Sequence, residues 1–155
     1  MDEQRTAAET VARLQREWIF GWDVAEGDPP RAFDDVFGRF YDLGADVILF
    51  DEADAERRTF RAVGDYADAF WPAFQRLRSA AHAIEEEPEV LVSGDLAAGR
   101  MVFLAALTGA DGGTTYLRCH NSLVWRRTAD RDWHIVRDQT AVAPMPADEA
   151  ARHFA

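Results

Sequence analysis

The residues that decide the fold read TYLRCHNSLVWRR (115–127), TADRD (128–132) and WHIVRDQTAV (133–142). Two strand-length segments of alternating character flank a polar break, the pattern of an antiparallel hairpin. In the first segment Leu117, Cys119, Leu123 and Trp125 share one face, and Arg118, His120, Ser122 and Arg126 share the other. Successive side chains on a strand point to opposite faces, so the two sets cannot mix without a bulge. The apolar set is expected to face a helical layer. Asn121 is then the one strongly polar side chain in that row. A buried amide needs hydrogen-bond partners or a ligand, and both readings stand.

The second segment divides in the same way. Val136, Asp138, Thr140 and Val142 form the more apolar set; Ile135, Arg137, Gln139 and Ala141 form the other. With the first set inward, Asp138 is a carboxylate in an apolar cavity. Burial raises a carboxylate's pKa towards the range useful for general acid or base work. The alternative is a plain ion pair of Asp138 with Arg118 or Arg137. Pairing of the two segments brings Asn121 and Asp138 towards each other.

Working outward, Ala98–Thr108 and Glu89–Val92 read as a further hairpin around Ser93-Gly94-Asp95, and Asp111-Gly112-Gly113 is a turn signal. Before them the period changes. Ala7, Val11, Leu14, Trp18 and Trp22 recur at helical spacing within residues 3–22, ended by Gly27-Asp28-Pro29-Pro30. A second helix is predicted at about 31–42, a strand over Asp46–Asp51 with Thr59–Ala62 pairing back, and a third helix at about 64–79, kinked or divided at Trp71 by Pro72. Glu52–Arg58 and Glu85-Glu86-Glu87 read as solvated loops. Helices followed by a four- to six-stranded antiparallel sheet make an α+β domain over 1–146, with a C-terminal tail at 147–155.

This order resembles the nuclear transport factor 2-like superfamily, in its SnoaL-like and ketosteroid isomerase-like branch. Val90-Leu91-Val92-Ser93-Gly94-Asp95-Leu96-Ala97 is similar to the family's Gly-Asp-x-Ala hairpin. Ser122–Arg127, the turn and Trp133-His134-Ile135-Val136 are similar to its terminal hairpin. The resemblance implies a cone, that is, a curved sheet wrapped around the N-terminal helix and enclosing an apolar pocket. It also implies a homodimer through the outer sheet face. The chain departs from the pattern in two places. The turn Ala129-Asp130-Arg131-Asp132 lacks the glycine many relatives place before the tryptophan. Gln139 stands where several branches have histidine, so no role of that histidine is carried over.

Bulk properties narrow the function. The chain has 155 residues, 28 of them acidic against 17 basic, a net charge of −11. All the basic residues are arginine, so Schiff-base chemistry and a Walker-type phosphate loop are excluded. The negative charge argues against nucleic-acid partners. The single cysteine, Cys119, excludes an internal disulfide and reads as an inert buried thiol. No apolar run approaches the ~20 residues of a membrane span and no signal peptide is visible, so a cytoplasmic protein is expected.

The catalytic candidates are Asp138, Asn121 and His82. His82 precedes the third strand, where dehydratase-like members of the branch place a histidine; it is read either as a proton shuttle or as a plain element-end residue. His120 is expected outward at a dimer face, His134 exposed and His153 in the tail. Their spacing holds no metal pattern, and no cofactor is expected. Trp18, Tyr41, Phe50, Trp71, Phe74, Phe103, Leu123 and Thr140 are the expected pocket lining, each with plain core as its alternative. Three functions remain open. The first is a cofactor-free isomerase, cyclase or dehydratase acting on an apolar carbonyl compound. The second is a binding domain for an apolar metabolite, and the third is an assembly module.

Overall fold

Apolar spacings of three and four make one buried stripe on a helix. In the computed structural model, which describes residues 2–154, α1 (Asp2–Phe20) buries Ala7, Val11, Gln15, Trp18 and Ile19 along such a stripe. The first and last residues of the expected domain and tail, 1 and 155, lie outside the described residues. Among the described residues, no helix is long and apolar enough to cross a membrane.

The second helix is shorter than its pattern predicts. α2 spans only Phe33–Phe37, and Gly38 follows it in a turn. Phe40 and Tyr41 remain in the core without helical backbone. The carbonyl of Phe40 accepts the Ile135 N–H at 2.8 Å, so sheet pairing has taken a group that a longer helix would use. α3 (Val63–Gln75) contains Pro72 but is not divided by it. Proline removes one hydrogen bond, and this close to the helix end little lies beyond it to disrupt.

Six strands form one sheet. β1 is Ile48–Asp51, β2 Thr59–Phe60, β3 Ser79–Ser93, β4 Leu96–Thr108, β5 Thr114–Arg127 and β6 Trp133–Pro144. The spatial order is β2-β1-β6-β5-β4-β3. β1 runs parallel to β6, which corrects the expectation of a wholly antiparallel sheet. β3 is also longer than predicted. It runs through Glu85-Glu86-Glu87 with register shifts on both sides of Glu86, so that stretch is strand, not loop. The shifts bend the strand and help the sheet to curve. The β3–β4 hairpin turns at Gly94, whose φ of 59° suits glycine.

The phase of β5 follows its alternation: Cys119, Asn121, Leu123 and Trp125 are all buried. β6 holds one surprise. Val124 pairs with Arg137 but Trp125 pairs with Ile135, so Val136 is a bulge. The bulge turns Ile135 inward, to complete burial, although simple alternation places it outward. Asp138 and Thr140 are inward as expected.

The helices fill the concave face. Trp22, Phe33, Phe37, Tyr66 and Trp71 make a cluster of edge-to-face and tilted rings there. The convex face carries a smaller core of Leu104, Met145 and Ala150, packed by Tyr116 and Phe154. The expected tail is therefore a helix over its described part, α4 (Ala147–Phe154). Arg118 ties it down, with Nε 2.9 Å from Glu85 and an Nη 2.7 Å from Glu149.

Candidate functional site

Register brings the polar residues of the concave face together. Asn121 pairs with Thr140 and Leu123 with Asp138 across β5 and β6. Their side chains form a directed chain. Trp125 Nε1 donates to Gln15 Oε1 at 3.3 Å, and Gln15 Nε2 donates to Asn121 Oδ1 at 3.0 Å. Asn121 Nδ2 donates to Thr140 Oγ1 at 2.9 Å, and Thr140 donates to Asp138 Oδ1 at 2.6 Å. Gln15 Nε2 also reaches the Gly99 carbonyl at 3.0 Å. A Cβ on Gly99 would stand 2.1 Å from Gln15 Oε1, so glycine leaves the room this amide occupies.

Asp138 ends the chain. It is 2% exposed, and its Oδ2 is buried without a partner. Burial raises its pKa well above the carboxylate range; the nearby Asp51 charge adds to the rise, and the Thr140 bond opposes it. No arginine neutralises it. Arg118 is engaged by Glu85 and Glu149 on the convex face, and Arg137 is exposed. The ion-pair reading of Asp138 is thereby overturned.

An apolar cavity of about 60 Å³ opens beside this chain. Trp18, Phe70, Phe74 and Phe103 line it, and two polar groups enter from distant strands: His82 from β3 and Asp51 from β1. That strands so far apart in the sheet order meet at one cavity follows from the curvature of the sheet. Nδ1 of His82 is 2.8 Å from Asp23 Oδ1, and the ring lies parallel to Phe74. A carboxylate acceptor at Nδ1 fixes the proton there and leaves Nε2 with its lone pair. Asp51 Oδ1 accepts the Ala53 N–H at 2.9 Å. Its pKa is pushed up to about 6, chiefly by burial, with the Asp54 and Glu52 charges adding. Burial raises the Tyr66 phenol and brings the Cys119 thiol to about 12, so both wall groups stay neutral.

The expected site residues fall into three groups. Trp18, Phe74, Phe103 and His82 line the cavity. His82 lies inside β3, not at an element end, with a side chain only 3% exposed. Asp138, Asn121 and Thr140 belong to the buried chain, and Tyr41, Trp71 and Leu123 to the core; none of these six lines the cavity. Tyr41 accepts the Trp18 Nε1–H at 3.0 Å, and Trp71 donates to the Arg31 carbonyl at 2.7 Å. Phe50 corrects the expectation differently. Leu49 is fully buried, so alternation turns Phe50 to the other face of β1. His134, expected exposed, is half-buried.

Asp51 and Asp23 were missed. The alternation of Asp46–Asp51 carries a signal for Asp51, since an inward Leu49 implies an inward Asp51. Nothing local marks Asp23, whose partner is 59 residues away.

No protein-family model matches the sequence, and no curated protein matches it. Solved structures do. A nuclear transport factor 2-like superfamily protein from Salmonella enterica serovar Typhimurium superposes with a TM-score of 0.75 at 14% identity, covering 92% of this chain and 94% of that one. The association domain of C. elegans CaMKII gives 0.64 at 14% identity, covering 91% and 99%. A protein provisionally described as a ketosteroid isomerase, from Parabacteroides distasonis, gives 0.57 at 16% identity, covering 88% and 87%. At these identities the likeness shows the fold: the chain adopts the curved-sheet cone of the nuclear transport factor 2-like superfamily.

Proposed function

We propose that the cavity is the active site of a small proton-transfer enzyme, an isomerase or dehydratase in reaction class, acting on a small carbonyl-bearing molecule. The observation that carries the reading is His82, set in an apolar wall with Nδ1 held by Asp23. In this reading His82 Nε2 removes a proton from the carbon beside the carbonyl. The electron pair moves into the carbon–carbon bond, and charge grows on the oxygen. Asp51, with its raised proton affinity, donates a proton at the opposite wall. In isomerisation His82 returns its proton to a different carbon, the carbonyl re-forms, and the oxygen gives its proton back to Asp51. In dehydration a carbon–oxygen bond breaks instead, and the hydroxyl leaves as water with the proton from Asp51. Asp138 and Asn121, expected as catalytic groups, support the wall from behind.

The test is deuterium uptake by cyclopentanone in D2O, followed by proton NMR. Exchange above the buffer rate is expected, falling by on the order of 100-fold in His82→Gln. Exchange equal to buffer, or unchanged in the variant, sinks the catalytic reading; binding without exchange returns the binding-domain alternative.

A second reading concerns assembly. Leu91 is 80% exposed on β3 and Leu96 is 45% exposed beside it. Together with the similarity to an association domain, these leucines support a homodimer through the outer sheet face. Sedimentation of wild type and Leu91→Glu tests it; a monomeric wild type ends it.

A further inference from the structure

The cavity wall carries a carboxyl group and an imidazole but no arginine. Asp51 and His82 are its polar centre, and none of the 17 arginines lines it. Carboxylates stand around it, and the arginine that touches Asp23, Arg31, bonds its backbone carbonyl at 2.9 Å. Glu52 and Asp54 lie beside Asp51 in the chain, Asp138 is buried on the neighbouring β6, and Asp23 stands behind His82. Arg118, next to the lining residue Leu117 in the chain, is held by Glu85 and Glu149 on the convex face, and Arg58, in the loop after Asp51, is bonded to Asp54 through Nε at 3.0 Å and to Glu56. A carboxylate or phosphate entering here would lose its water against Trp18, Phe74 and Phe103 and gain no counter-ion. The volume bounds size as well. About 60 Å³ is well below the ~150 Å³ of a cavity that holds benzene, so only a few heavy atoms of a ligand are enclosed.

We infer that the site takes a ligand whose buried end is no larger than a small ring, and that it excludes the same skeleton bearing a carboxylate or phosphate. The inference rests on the cavity being the ligand site, as proposed above, and not on its being catalytic. Asp51 is the selecting group, because it is the one lining carboxylate.

Two matched probes test it at pH 7.5: cyclopentanone and cyclopentanecarboxylate. Each is titrated against the full-length protein, with the indole N–H shifts of Trp18 and Trp22 as readout. Cyclopentanone is expected to bind at least about tenfold more tightly than cyclopentanecarboxylate. In Asp51→Asn that ratio is expected to shrink to within about threefold. Near-equal or tighter binding of the carboxylate overturns the inference. So does an unchanged ratio in Asp51→Asn, or no saturable shift with either probe. If the order holds but cyclopentanone takes up no deuterium, charge selection stands and only the catalytic reading fails.

Discussion

Thr140 Oγ1 donates to Asp138 Oδ1 at 2.6 Å, while the other oxygen of that carboxyl group is buried without a partner. One short hydrogen bond replaces the several waters a carboxylate normally holds. A single hydroxyl does not offset that loss of solvation, which is why burial outweighs the hydrogen bond in setting the proton affinity of Asp138.

The stability of the fold should therefore depend on pH through this residue. The folded-state pKa of Asp138 is raised, so the folded protein holds the proton more tightly than the unfolded chain does. The resulting stability is fully present below the unfolded value of about 4 and is lost as pH rises through the folded value. Asp51, pushed up to about 6, adds a part lost between about 4 and 6. Calorimetric scans should show the Tm of wild type falling, relative to Asp138→Asn, as pH rises from 4 to 8. Parallel curves for the two proteins would show that Asp138 titrates normally.

Gly99→Ala should break the buried chain at its start. The added Cβ would stand 2.1 Å from Gln15 Oε1, and moving Gln15 away strands Asn121 Oδ1. Leaving buried polar groups unpaired costs about 1–3 kcal/mol. Urea denaturation should show a loss of that size. A neutral substitution would mean that Gln15 relaxes freely.

Asp23 should control the tautomer of His82. Nitrogen-15 shifts are expected to place the proton on Nδ1 in wild type, facing Asp23 Oδ1 at 2.8 Å. Asp23→Asn should mix the tautomers and lower cyclopentanone exchange on the order of tenfold or more. A pure Nε2–H form in wild type contradicts the proposed role of His82 as base.

Arg131 sits at φ 66° in the β5–β6 turn, a left-handed conformation that disfavours an L side chain. Its N–H still closes the turn on the Thr128 carbonyl at 2.8 Å, so the turn itself is well formed. Arg131→Gly should raise Tm by about 2–4 °C, after allowance for the greater freedom of glycine in the unfolded chain. A lower Tm would show that the contact of Arg131 with Glu3 outweighs the strain.

Much of this protein is legible in its one-dimensional pattern. A period near 3.6 placed α1 and α3 and a period of two placed β5 and β6, because helix and strand geometry fix which side chains share a face, while turn signals on either side placed β4. The same logic put Asn121 and Asp138 on one buried face, since neither could turn outward without taking Cys119, Leu123 or Thr140 with it. Composition also bounded the chemistry, because a residue type that is absent cannot act.

The tertiary structure decided which buried groups touch and which reach a cavity. Local alternation cannot register the bulge at Val136, which turns Ile135 inward and frees its N–H for Phe40. Nor does it reveal that β1 docks in parallel on β6, the pairing that sets Asp51 opposite Thr140. The meeting of His82 with Asp23, and of both walls around one cavity, depends on the bend of the whole sheet and on the path of the chain after α1. Neighbouring residues specify facing; contact between residues far apart in sequence is specified only by the sum of all the packing between them.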